Sequence, residues 1–142
     1  MESAVLGLVL DSSVIIEAER KRQTVEDLLN GIRQSFGEVE ISISAVTVAE
    51  LAHGVARAHT LETRDRRRAF LDELKLHVPV HPVTEESGEL AGKLSGEQAA
   101  KGVKLPLDDL LIGVAAIEQN YAVATLNRRH FESIPGVIVI QP

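Results

Sequence analysis

Cysteine and tryptophan are absent from this 142-residue chain, and aromatic residues make up only 3% of it. Without cysteine there is no disulfide, no thiolate metal ligand and no thiol nucleophile, and a reducing compartment is compatible. So few aromatics leave little for base stacking, so any recognition of nucleic acid is expected to work through shape and backbone contacts. Long apolar runs are missing too, since no stretch approaches the ~20 residues of a membrane span. The start of the chain has neither the basic region nor the cleavage site of a secretory signal. The expected setting is therefore cytoplasmic, with no membrane association.

The chain does hold 44% hydrophobic residues. That is enough for a single domain over residues 1–142 that buries roughly two-thirds of the surface its unfolded chain would expose. A net charge of -6 argues against a surface basic all over, the usual footprint of a nucleic-acid binder. Yet the basic residues are bunched in ERKR (19–22), RDRRR (64–68) and NRR (127–129), and a bound divalent cation would offset acids gathered in one place.

Short apolar runs alternate with helical spacing along the chain. VLGLVL (5–10) stops at Asp11 and leads into VIIEAE, which reads as a buried strand feeding a helix. TVEDLLNGIRQSF (24–36) opens on a capping Thr and places Val25, Leu28, Leu29 and Ile32 on one face. EISIS (40–44) alternates with period two before AVTVAELAHGVARA (45–58) returns to helical spacing. A charged helix over 62–74 precedes HVPVHPV, whose β-branched residues suggest a strand and whose prolines confine it to an edge or a short piece. TEESGELAGKLSGEQAAKG (84–102) is a capped helix ended by glycine, and LPLDDLLIGVAA (105–116) starts another. YAVATLN (121–127), a short helical piece at RRHFESI and VIVI (137–140) close the chain. The alternation predicts an α/β/α sandwich around a central, mainly parallel sheet.

Ligands of open parallel sheets bind beyond the carboxyl ends of the strands, where Asp11 falls; a turn or N-cap role explains a lone Asp equally well. Glu50 sits among Val48, Ala49, Leu51 and Ala52 on a helix, on a stripe with Val46, Gly54 and Arg57. An internal Gly54 suggests close approach to another backbone, and the plain alternative for Glu50 is pairing with Arg57. Asp108 and Asp109 follow Pro106 in a first helical turn, where acids are favoured. That accounts for one of them; Asp109 also shares a stripe with Ile112, Gly113 and Ala116, a face that should meet the sheet. Together, Asp11, Glu50 and Asp109 could converge at one sheet edge. Oxygen-only ligands suit Mg²⁺ or Mn²⁺, and the five histidines, with His77 and His81 flanking VPV, lack a zinc-like pattern. Packed carboxylates repel one another unless protonated or bridged by a cation.

At these residues the sequence resembles the PIN-domain family of ribonucleases, most closely the VapC-type toxins of bacterial toxin–antitoxin pairs. The resemblance rests on LVLDSSVII (8–16), VTVAELAHG (46–54), LDDLLIGVAA (107–116) and ATLNRRHFESIPGV (124–137), in the family's order and across essentially the whole chain. It implies a PIN-like fold in which Asp11, Glu50 and Asp109 hold Mg²⁺ or Mn²⁺, with Asp108 as a cap or supporting acid. Ser13 matches a small polar position that steadies the metal's surroundings. Asn127 matches a fourth catalytic position that is Asp in some relatives, and its missing charge weakens a second metal site. Arg128 and Arg129, beside Asn127, are candidates for substrate phosphate. The implied activity is metal-dependent hydrolysis of RNA phosphodiesters. A homodimer and a cognate VapB-like antitoxin are also implied, with Val25, Leu28, Leu29, Ile32 and the helix over 45–58 as candidate contact residues or, equally, as core.

Other readings are weaker. A phosphotransferase of the haloacid-dehalogenase type needs an Asp where Ser13 stands, and a receiver domain needs a late Lys that NRR does not supply. The rival from another class is a catalytically inactive PIN-fold module that binds RNA or protein; retention of the three main acids argues against it. The RDRRR run reads either as a solvated face or as a phosphate or partner surface.

Overall fold

The computed structural model describes residues 5–142. Five strands, β1 (Gly7–Leu10), β2 (Glu40–Ser44), β3 (Val80–His81), β4 (Ala122–Ala124) and β5 (Val139–Ile140), form one sheet in the order β3-β2-β1-β4-β5. Every pairing is parallel, so the mainly parallel sheet expected from the alternation is wholly so. The chain winds outward from β1 through β2 to β3, returns, and winds outward again through β4 to β5. The order therefore reverses between β1 and β4, and a crevice opens there beyond the strand ends.

Strand alternation sorts the core into two layers. Leu8 and Leu10 of β1 join Ile41, Ile43, Ala122 and Ala124 under α1 (Ser12–Arg20), α2 (Val25–Phe36) and Leu74 of α4 (Leu61–His77). Val9 and Val123 point the other way, onto α5 (Glu85–Ala99), α6 (Leu107–Gln119) and α7 (Arg129–Glu132), where Phe131 is fully buried. The remaining helix, α3 (Ala45–Ala56), follows β2 without a loop because Ser44 both ends the strand and caps the helix. Thr24 and Thr84 close capping boxes at α2 and α5.

The proline-rich piece is indeed an edge strand, held where the Ile43 amide donates to the Pro79 carbonyl at 3.0 Å. Val25, Leu28, Leu29 and Ile32 are between 2% and 7% exposed within the first layer. Of the two roles open to them, partner contact or core, they take the second, because the apolar stripe of the helix packs onto the sheet. Gly54 meets no other backbone: nothing lies within 4 Å of where its Cβ would stand. No described helix is long and apolar enough to cross a membrane.

Candidate metal centre

Asp11 ends β1 at the reversal point and is only 5% exposed. Its amide donates to the Ala124 carbonyl at 2.9 Å, which ties it to the end of β4. Ser13 Oγ and Thr125 Oγ1 both donate to Asp11 Oδ2, at 2.7 and 2.8 Å. The same hydroxyls accept from the loop after β4: Ser13 from the Leu126 amide at 3.0 Å, Thr125 from the Asn127 amide at 2.9 Å. Two hydroxyls on one oxygen fix the carboxylate's rotation and leave Oδ1 for a ligand. Sequence reasoning missed Thr125, although it is completely buried; its role depends on a partner 114 residues away.

Glu50 projects from the second turn of α3, and its Oε1 is buried with no hydrogen-bond partner. The expected alternative of pairing with Arg57 does not occur. Its pKa is pushed up to about 7, chiefly by burial and then by the charges of Asp108 and Asp11, with the Ser12 hydroxyl pulling the other way. Asp109 enters from the first turn of α6, as its stripe predicts, above buried Ile112, Gly113 and Ala116. Burial and Asp108 raise its pKa to about 6, while His130 opposes them, its Nδ1 lying 3.4 Å from Asp109 Oδ2. No side chain caps α6, so of the two roles expected of Asp108, cap or supporting acid, the cap is not made. It is an exposed acid at the rim whose charge acts on both Glu50 and Asp109.

Asn127, Arg128 and Arg129 lie on the exposed loop and first turn of α7. The Arg128 guanidinium is turned onto Glu132, Nε to Oε1 at 2.9 Å, while Arg129 makes no ion pair among the described residues. The RDRRR run divides: Arg66 binds Glu19 at 2.8 Å, Arg67 donates to the Gly54 carbonyl at 2.8 Å and Arg68 pairs with Asp72. His77 and His81 are tied to Glu73 and Glu118, away from the acids.

A divalent cation suits this set on two counts. All the donors are hard oxygens, and a buried carboxylate oxygen without a partner beside three other acids is costly unless protonated or bridged by a cation. Among the described residues no three acid or histidine side chains stand at joint ligating distance of one point. The mutual charge effects nevertheless link Asp11, Glu50, Asp108 and Asp109. A hard divalent ion that keeps several waters takes only one or two carboxylates directly, so it does not require three side chains at one point.

Fold and site together define an α/β domain with an acidic centre at its topological reversal point. The family model for the PIN domain matches residues 8–137, and the chain belongs to that family. Among curated proteins it is 27% identical to "Ribonuclease VapC" of Rickettsia bellii over 95% of this chain and 96% of that one. Its fold superposes with a TM-score of 0.80 on VapBC2 from Rickettsia felis, solved bound to a DNA fragment from their promoter; identity is 24%, with 95% of this chain and 98% of that one covered. VapBC-5 of Mycobacterium tuberculosis, a member of the VapBC family of toxin–antitoxin systems, is 25% identical at a TM-score of 0.73, with 98% and 100% covered.

Proposed function

We propose that the chain is a divalent-metal-dependent endoribonuclease and the toxin of a VapBC-type toxin–antitoxin pair. The observation that carries this reading is the unpartnered, buried Oε1 of Glu50 within a ring of four carboxylates at the sheet's reversal point. Its support among relatives is the likeness to a curated ribonuclease over nearly the whole length of both chains.

Asp11, Glu50 and Asp109 would hold Mg²⁺ or Mn²⁺, with Asp108 at the rim. When bound, the ion supplies an activated water for in-line attack on a phosphodiester and offsets charge on the leaving oxygen. Ser13 and Thr125 orient Asp11, and His130 braces Asp109. Asn127 offers a neutral oxygen at the mouth, with Arg128 and Arg129 beside it to meet substrate phosphate. The partner would be a VapB-like antitoxin, as the likeness to VapBC-5 supports, and the working form a cytoplasmic homodimer.

The test is cleavage of total RNA by the purified chain with Mg²⁺ or Mn²⁺, beside EDTA and an Asp11→Asn control. Metal-dependent cleavage that the substitution abolishes is the expected result. Folded, antitoxin-free protein that cleaves nothing with any divalent metal would refute the proposal and point to a non-catalytic module.

A further inference from the structure

A groove of about 230 Å³ runs between α1, α3 and α4, and Glu50 belongs to its lining, so it shares a wall with the acidic ring. Ile15, Ile16, Leu51 and Leu71 give it apolar sides, and Phe70 supplies one aromatic face. The chain has three phenylalanines; Phe131 is fully buried, and Phe36 and Phe70 are both partly buried against the first core layer. Phe70 is the aromatic ring that lines this groove. Composition alone argues against stacking, but one ring suffices where it stands beside the reacting centre.

The polar residues are equally specific. Arg67 lines the groove and donates through Nη1 to the Gly54 carbonyl at 2.8 Å, which fixes its guanidinium in place. One donor is used, and the rest of the fork has no carboxylate partner among the described residues. Glu19, also in the lining, is already matched by Arg66 at 2.8 Å. Exposed Arg20 completes the set.

We infer that this groove receives one unpaired nucleobase of the RNA, next to the phosphate being cleaved, an inference that rests on the endoribonuclease reading. A phosphate inside the groove would meet Glu50 and apolar walls, a poor exchange for its hydration. A neutral base has flat apolar faces for Phe70 and the aliphatic side chains, and single-stranded RNA is recognised in this way. Arg67 carries donors and no acceptor, so it selects a base edge with two adjacent acceptors, the O6 and N7 of guanine. Arg20 is placed to meet the phosphate of the same nucleotide. The groove is thus a specificity subsite continuous with the cleavage centre.

The test uses the full chain with Mn²⁺ and a randomised single-stranded RNA pool, with the fragment ends sequenced. Wild type should enrich guanine at one position beside the cut. Arg67→Gln and Arg67→Lys should each lower that enrichment about fivefold, the low end for removal of a bidentate pair. Phe70→Leu keeps the apolar wall and should weaken cleavage at low RNA concentration more than at saturation. If Arg67→Gln fails to fold, the lysine and leucine variants decide. Wild-type cleavage without a base preference, or an unchanged preference in the Arg67 variants, overturns the subsite and leaves the nuclease standing. Fragment patterns that stay fixed while binding of a protein partner is abolished would make the groove a protein-docking surface and also overturn it. Absence of wild-type cleavage with any divalent metal removes both readings together.

Discussion

Glu50 and Asp109 hold their protons longer than free carboxyls do, to about 7 and about 6 from ordinary values of 4.5 and 3.8. Each folded value lies above the unfolded one, so the folded state binds more protons and stability falls as pH rises across that window. The metal-free protein should therefore melt lower at about pH 8 than at about pH 5, and saturating Mg²⁺ or Mn²⁺ should raise the melting temperature most at the alkaline end. Glu50→Gln removes the titrating group, so that variant should melt higher than wild type at the alkaline end without metal and respond less to metal. A melting temperature independent of pH would contradict the burial of these acids. Thr125→Val keeps the buried volume but takes one hydroxyl from Asp11 Oδ2. Removing such a supporting hydrogen bond should reduce metal affinity by roughly 10–100-fold, measured by isothermal titration of Mn²⁺, while the thermal transition stays cooperative.

At the scale of the elements, β1 must lie close to its neighbour to bring Asp11 to the reversal point. A Cβ on Gly7 would stand 2.6 Å from the Glu40 carbonyl of β2 and 2.8 Å from the Tyr121 ring. Gly7→Ala should cost about 1–3 kcal/mol as forced overpacking, read as a lower urea midpoint with an unchanged slope; an unaltered midpoint would mean that β1 and β2 shift apart freely. The elements themselves were legible because their signals are local: periodicity located α2, β-branched residues and prolines located the edge strand β3, and Pro106 and the glycines marked ends. Asp11, Glu50 and Asp109 were legible as candidates because a charge on an apolar stripe stands out in one dimension. Pairings were not. Thr125 in ATLN carries no local mark of its bond to Asp11, and Asp108 proved a rim acid because helix phase, which decides what each of two adjacent aspartates faces, is set by packing. The α2 stripe left core and contact equally open, and Gly54 misled, for the same reason: an apolar face or a glycine says that something approaches or is spared, and only the folded chain says what.

Across the whole molecule, an excess of acid over base sits on a protein proposed to hold a polyanion, with net charge -6. Long-range attraction therefore cannot be the source of RNA affinity, and cations must act close to the phosphates. On the proposed reading, the ion that the acidic ring would hold is one such charge, and Arg128 and Arg129 on the α7 loop, with Arg20 in the groove, are others. Arg128 already shares its guanidinium with Glu132, whereas Arg129 is uncommitted among the described residues. Arg129→Ala should thus weaken RNA binding more than Arg128→Ala. Together the two changes should lower the slope of log affinity against log salt by about 0.7 for each phosphate that is no longer neutralised. Binding is best measured with the Asp11→Asn protein, so that cleavage does not interfere, at several salt concentrations and fixed Mg²⁺. An unchanged slope in the double variant would take both arginines off the RNA surface. The burden of phosphate neutralisation would then fall on the metal ring and Arg20, and the path of the RNA would turn from α7 toward the groove between α1 and α4.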